Sequence, residues 1–429
     1  VTTGDGRAAT PRPDAVAPRP VPLWAGRTVA LLGVILVAMN LRTAVAALSP
    51  IFTEIGRDIP LSSLDVGIIG TLPPLCFALF GLLAPVFQRY LRVESLLIFA
   101  LAAMVAGDAL RALAGSYPLL LAASGLTFAG MGVGNVLLPP MVKKYFPDRI
   151  GLVTALYATV MALFALLPPL VAVPVSDAAG WRFAVGMWGI LGLVALIPWV
   201  RLLSADRRRA PDPRASEGVV PEADAELVGR ARHSSLSRGL GVVFGITALN
   251  SYACFAWLPE ILTDVAGVDQ AGAGALLSLY TGMGIPASLL IPIIAARLRN
   301  VSGIIIAGVS VYVLGYLGLL LVPATLPWLW VAFAGAGPLL FPLALLLINK
   351  RSRTQKGAVA LSGFVQGFGY LIGALGPLLV GVLHQLTGAW TAPLLFLLTS
   401  ALVILLFVRV VSRPRVIEDD WVPDRGRAA

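Results

Sequence analysis

The chain has 429 residues, of which 58% are hydrophobic and 13% charged, with a mean hydropathy of +0.87. Soluble domains carry roughly 25% charged residues, so a water-soluble protein is excluded and a polytopic membrane protein is indicated. A net charge of +10 would suggest a nucleic-acid partner in a soluble chain, but here it follows from where the basic residues lie around the apolar segments.

Residues 1–26 are proline-rich, basic at Arg7, Arg12 and Arg19, and lack the apolar core and small-residue cleavage site of a signal peptide. They read as a disordered cytoplasmic tail. Twelve apolar runs of roughly 20 residues follow, the length that crosses a bilayer core of about 30 Å. They cover 28–54, 63–87, 94–113, 118–142, 150–175, 183–203, 239–262, 272–296, 302–322, 327–348, 358–383 and 391–411, and are called spans one to twelve. Between spans six and seven, residues 204–238 turn polar, with Arg207 to Arg209, Pro211 and Pro213, and read as a cytoplasmic linker. The chain is thereby divided into six-helix bundles over 27–203 and 239–411, with a cytoplasmic tail over 412–429.

With both termini in the cytoplasm, only Arg57, Arg111 and Arg182 of the 32 basic residues fall on the far side, and only Arg42 lies deep within a span. The positive-inside rule then places the chain as a multi-pass protein of a bacterial-type inner (plasma) membrane. Arg42 stands about 15 residues, or about 22 Å, from the cytoplasmic end of span one. A charge at that depth costs several kcal/mol, so it faces a watery cavity, pairs with an acid or holds a ligand.

The two halves echo one another. Gly132-Val-Gly-Asn-Val-Leu-Leu-Pro139 in span four matches Gly335-Ala-Gly-Pro-Leu-Leu-Phe-Pro342 in span ten. Pro85 followed by Leu91-Arg92 matches Pro292 followed by Leu298-Arg299, and Asn40 before Pro50 matches Asn250 before Pro259. Repeats in the same order on matching helices indicate duplication, which is a transporter design. Glycines four apart, such as Gly130/Gly134 and Gly369/Gly373, read as close helix packing. The pairs Pro73-Pro74 and Pro168-Pro169 are expected to kink their helices.

Twelve spans in two similar halves resemble the major facilitator superfamily. Its loop signature Gly-x-x-x-Asp-Arg-x-Gly-Arg-Arg corresponds to Ala84 through Val93, where Arg89 and Arg92 remain and Gln88 replaces the acid. Leu126 stands where drug/proton antiporters place an arginine in span four. Asn40-Leu41-Arg42, Gly132-Val-Gly134-Asn135, Pro139, Lys143, Phe146-Pro-Asp-Arg149, Gly151-Leu152, Tyr157 and Trp257-Leu-Pro259 are similar to the cyanate permease / 2-nitroimidazole transporter (CynX/NimT) family. The resemblance implies an all-α membrane protein of twelve transmembrane helices in two pseudo-symmetric six-helix bundles. It also implies alternating access and a small, often anionic substrate.

On span one, Arg42, Ala46, Ser49 and Thr53 share a helical face, while Asn40 lies about 200° from Arg42. Arg42 is assigned to the cavity, because a guanidinium presents a fork of donors to an anion at any pH. The competing reading pairs it with Asp108, unless Asp108 pairs with Arg111 one turn on. Span seven offers Asn250, Cys254 and Trp257 on one face, with Tyr252 in the register of Arg42. Span eleven offers Ser362, Gln366 and Tyr370 as a polar stripe; interhelical hydrogen bonding is the alternative role for these groups. Asn135 and Tyr157 complete the candidate substrate site. Coupling candidates are Glu54, Asp108 and Glu260; Glu54 and Glu260 also read as solvated residues near helix ends.

The expected function is a secondary transporter of a small organic or inorganic anion, cyanate-like, working by alternating access. The rivals are a proton-coupled exporter of aromatic drugs, whose cavity would be lined by Trp257, Tyr252, Tyr370 and Phe164, and a channel or non-transporting receptor. No enzyme constellation appears at recognisable spacing. Cys76 and Cys254 read as packing residues, and His233 and His384 belong to no ligand cluster, so neither metal nor cofactor is expected. The expected partners are a small-molecule substrate, the lipid bilayer and a proton or counter-anion, with no nucleic acid, for a monomer.

Overall fold

The computed structural model describes residues 27–206, 231–298 and 300–420. The 1–26 tail, most of the 204–238 linker, residues 421–429 and the side chains of Gln88 and Arg89 lie outside the described residues. Twelve helical segments are long and apolar enough to cross a membrane: Thr28–Asp58, Ser63–Phe80, Val93–Ala112, Tyr117–Tyr145, Ile150–Ala179, Trp181–Ser204, Ser235–Ala266, Gln270–Ala295, Ser302–Leu321, Pro327–Lys350, Gly357–Thr387 and Thr391–Ser412. They are the twelve spans expected from the sequence.

Span one is not one continuous helix. It runs as Thr28–Ala46, a 3-10 turn Ser49–Ile51 and a short helix Phe52–Asp58. Pro50 has no N–H to give the preceding turn, so the stripe from Arg42 through Thr53 is broken below Ala46. Span ten breaks similarly, at a 3-10 turn Gly337–Leu339 built around Pro338. The proline pairs behave differently, because helices Ser63–Tyr90 and Ile150–Ala179 run on through them. Neighbouring helices in a membrane satisfy what a proline frees.

Each bundle repeats the same neighbours. Span one packs on spans five and six as span seven packs on eleven and twelve, and span three packs on four and six as span nine packs on ten and twelve. Asn40 donates to the Leu36 carbonyl (2.8 Å) and Asn250 to the Ile246 carbonyl (2.9 Å), a detail preserved in both halves. Across the molecule, span two meets span eleven and span five meets span eight, the contacts a two-fold relation requires.

These cross-bundle contacts lie toward the end opposite the basic loops, called here the far end. Thr71 shares its hydroxyl hydrogen between the carbonyl of Gly67 (2.8 Å) and that of Ala374 in the other bundle (3.0 Å). Ser278 does the same with Gly274 (3.2 Å) and Leu166 across the interface (2.8 Å). The register that aligns Pro85 with Pro292 also aligns Gly67 with Gly274 and Thr71 with Ser278. The far end is therefore fastened by two copies of one latch.

Close approach at this latch needs glycine. A Cβ at Gly274 would lie 2.4 Å from the Pro169 carbonyl oxygen, and one at Gly67 3.0 Å from that of Pro377. The obstructing atoms are backbone, so a side chain can be accommodated only by separating the helices. Gly274→Val is expected to cost the closed far end about 1–3 kcal/mol. Spin labels on the exposed residues Asp177 and Asp269 should report a wider separation, whereas Gly56→Val, with nothing within 4 Å, should leave it unchanged.

At the basic end the chain does not leave the protein as a free tail at 412. A 3-10 turn, Ile417–Asp420, folds back onto the loop before span eleven. Glu418 Oε1 accepts the N–H groups of Arg353 (3.0 Å) and Thr354 (2.9 Å) and the Thr354 hydroxyl (3.0 Å). Asp420 accepts the Ser234 hydroxyl (2.6 Å). Partial burial pushes the Glu418 carboxyl up, but the Thr354 and Arg353 N–H groups outweigh it and hold the group below its usual range. The clasp is thus complete above that range and is lost as pH falls through the depressed folded value. Amide exchange at 353–357 should accelerate in acid, and Glu418→Gln should remove that pH dependence.

Candidate functional site

Arg42 projects from the first helix of span one into the seam between the bundles. Asn40, two residues earlier, turns its amide onto its own helix and toward Gly192 of span six. Around the Arg42 guanidinium stand Phe77 of span two, whose ring centre is 5.6 Å away, and the hydroxyls of Tyr252 and Tyr370, which are within hydrogen-bonding reach. The three rings contact one another at 6.4 Å (Phe77–Tyr252), 5.8 Å (Phe77–Tyr370) and 6.4 Å (Tyr252–Tyr370). Phe244 and Phe255 extend this wall through Tyr370 and Tyr252.

No carboxylate among the described residues pairs with Arg42. A cation over an aromatic face is worth about 0.5–2 kcal/mol, less than the several kcal/mol that burial of the charge costs. Two neutral hydroxyls nearby contribute dipoles but no countercharge. Arg42 as a residue is half-buried. The site is therefore a half-buried arginine without a countercharge inside an aromatic collar. Toward the far end, the space between Val45, Ser49, Phe52, Pro73, Tyr252 and Phe255 is about 20 Å³, room for a single water.

The other candidates separate into groups. Asn135 and Tyr157 are half-buried on spans four and five, with Tyr157 packed against the N-terminal core that also receives Tyr252 and Tyr370. Gln366 donates to Ser362 on its own helix (2.7 Å), so of that stripe Tyr370 is the residue brought to Arg42. Asn250 reaches Ser400 of span twelve (3.0 Å) and Cys254 contacts Tyr316 of span nine (3.5 Å), inside the C-terminal bundle. Trp257 is 0% exposed and donates to the Pro377 carbonyl (2.9 Å). Phe77, Phe244 and Phe255 had no signal in the sequence, because a phenylalanine in an apolar run looks like any packing residue.

Among the coupling candidates, Asp108 pairs with Arg111 (3.5 Å) and accepts the Thr127 hydroxyl (3.2 Å). Arg111, expected on the far side near the end of span three, is 1% exposed, bonded to Ser124 (3.0 Å) and 4.8 Å from the centre of the Phe128 ring. It ends its helix in a full last turn, which aims the side chain inward under span four. Glu54 is half-buried with an unpartnered Oε2, and Glu260 lines a second far-end cavity with Ser49, Thr53 and Gln270. His384, expected to stand outside any ligand cluster, lies with Glu260 and Asp264, their ligand atoms all within 4.8 Å of one another. The fold assembles that cluster from two spans distant in sequence.

Residues 30–374 match the sequence family described as Major Facilitator Superfamily. The chain is 34% identical over 377 residues to the uncharacterized transporter YycB of Bacillus subtilis, covering 87% of this chain and 90% of the relative. It is 30% identical over 394 residues to a 2-nitroimidazole transporter of Escherichia coli, covering 91% and 97%, and 25% identical over 363 residues to the cyanate transport protein CynX of the same organism, covering 83% and 90%. Its fold is similar to that of a bacterial homolog of the human lysosomal transporter Spinster, with a TM-score of 0.69 at 15% identity over 94% of this chain and 99% of that one. The nucleoside transporter NupG also gives 0.69, at 10% identity over 89% and 98%. With twelve spans, a duplicated six-helix plan and these relatives, the chain belongs to the major facilitator superfamily and is a secondary transporter of the cyanate and 2-nitroimidazole transporter type, not an enzyme.

Proposed function

We propose that the protein carries a small planar solute bearing a negative charge or strongly polarised oxygens, and that Arg42 holds it at the seam between the bundles. The observation that carries this reading is the Arg42 guanidinium with no carboxylate partner, set among Tyr252, Tyr370 and Phe77. A guanidinium and two hydroxyls form a donor set suited to an anion or a nitro group. The ring wall adds surface for a flat molecule. Cyanate is a small anion and 2-nitroimidazole a flat ring with a nitro group, so one collar of this kind accommodates both chemistries named for the relatives.

The basic residues cluster at one end, which favours a cytoplasmic placement of both termini in an inner membrane. Alternating access requires the far latch to open during the transport cycle. Asp108 is occupied by Arg111, so a coupling proton falls to Glu54 or Glu260. The aromatic-exporter reading keeps Tyr252 and Tyr370 but loses Trp257 from the cavity wall.

Thermal-shift measurements on purified protein test the reading. Cyanate and 2-nitroimidazole should raise the melting temperature, unsubstituted imidazole should not, and Arg42→Ala should abolish both gains. Stabilisation by neutral rings alone, unaffected by Arg42→Ala, would favour the aromatic exporter. Saturable proteoliposome flux far below ion conductance separates a carrier from a channel.

A further inference from the structure

At the far end, Glu260 and Asp264 lie one turn apart on span seven, and His384 comes to them from the last turns of span eleven. Their ligand atoms all fall within 4.8 Å of one another, yet none makes a direct hydrogen bond or ion pair with another. Three ligand atoms gathered within 4.8 Å need side-chain rotations of about an ångström to reach the roughly 3.3 Å spacing that ligands of one tetrahedral ion share. No lysine or arginine among the described residues pairs with either carboxylate. Two acids side by side therefore have no basic side chain other than the imidazole to offset their repulsion.

The surroundings hold the set in place. Trp390 donates its indole N–H to Asp264 Oδ2 (2.8 Å) and stacks on the His384 ring, with centres 3.8 Å apart and planes at 14°. One indole thus orients two of the three ligands, as outer-shell groups orient metal ligands. His384 Nδ1 is buried and has no hydrogen-bond partner, so the ring carries unspent polar capacity. Asp264 is exposed, which leaves an entry path from solvent.

We propose that Glu260, Asp264 and His384 form a binding site for a divalent transition-metal ion of the Zn²⁺ class. One imidazole and two carboxylates suit a borderline cation, whereas Mg²⁺ and Ca²⁺ take all-oxygen sets. Three protein ligands leave further positions to water. The ion neutralises the paired acids and ties the far end of span seven to that of span eleven. This site is separate from Arg42 and independent of which solute is carried, and while an ion is bound a coupling proton falls to Glu54 rather than Glu260.

The test uses the full chain purified in detergent, stripped with chelator and titrated with Zn²⁺, and with Mg²⁺ as the control. A saturable rise in melting temperature with one ion per chain is expected from Zn²⁺, with no comparable response to Mg²⁺. Co²⁺ bound in its place should give ligand-field absorption that changes in His384→Gln and in Asp264→Asn, a signature that a merely structural role for these residues would not produce. Both variants should lose at least ten-fold in Zn²⁺ affinity, and the affinity of the unaltered protein should fall as the ligands protonate in acid. Absence of a Zn²⁺ response in the unaltered protein would overturn the proposal. So would an equal response to Mg²⁺, or a Co²⁺ spectrum unaltered in both variants.

Discussion

Arg42→Ala is expected to lower solute affinity by roughly 10- to 150-fold, the equivalent of losing one charge-assisted hydrogen bond of about 1.5–3 kcal/mol. Arg42→Lys should recover part of that loss. An ammonium restores the charge, but it cannot span the Tyr252 and Tyr370 hydroxyls and a planar ligand at once, as a guanidinium fork can. Tyr252→Phe and Tyr370→Phe keep the ring contacts with Phe77 and remove only the hydroxyls. If both hydroxyls act through Arg42, each tyrosine substitution should matter in the parent and matter far less in Arg42→Ala. Radiolabelled solute binding across the double-mutant cycle measures this coupling. Additive losses would mean that the tyrosines serve packing, and an unchanged affinity in Arg42→Ala would remove Arg42 from the site.

The second large effect concerns Asp108. Asp108→Ala leaves Arg111 buried without its countercharge, which should destabilise the N-terminal bundle by about 3–5 kcal/mol. Removing both charges at once, as Asp108→Leu with Arg111→Met, should restore most of the stability, because a buried pair contributes little over apolar groups of similar volume. The hydrogen bonds from Arg111 to Ser124 and from Thr127 to Asp108 are lost in the double variant, so recovery should be incomplete. Melting temperature in detergent reads the stability, and proteoliposome uptake reads the function. The paired geometry assigns Asp108 a structural role, so the double variant should still transport. A stable double variant that no longer transports would return Asp108 to the coupling machinery.

Both predictions start from groups that stand out in the sequence, yet the sequence ranks them differently from the fold. Arg42 is conspicuous because it is charged at mid-depth, and its depth follows from counting residues along one helix. Its partners do not follow. Span seven is 89% buried in its most apolar stretch, so it is enclosed on nearly every side and its polar residues fall on all faces. Periodicity cannot distinguish the face that meets Arg42, carrying Tyr252, from the face that meets Ser400, carrying Asn250. The burial of Arg111 is hidden for a similar reason. Counting puts it at a span end, and only the turn of the last helical residues, with Phe128 and Ser124 above it, shows that it is buried.

The duplication is legible in part. Matching prolines and asparagines reveal two halves, but the latch of Gly67 and Thr71 with Gly274 and Ser278 is invisible until span two is laid on eleven and span five on eight. Small residues at that spacing occur throughout the chain and mean close packing anywhere. The Glu260, Asp264 and His384 cluster divides along the same line, since the two acids are visibly one turn apart while the histidine arrives from another span.

Composition, span length and charge asymmetry sufficed for the twelve-span architecture, the orientation expected of it and the depth of Arg42, because the bilayer imposes one length scale and one charge rule on every segment. Partner choice between helices rested on tertiary packing. In a chain this apolar, hydrophobic contrast no longer marks inside from outside, and which polar groups meet is set by how the helices cross.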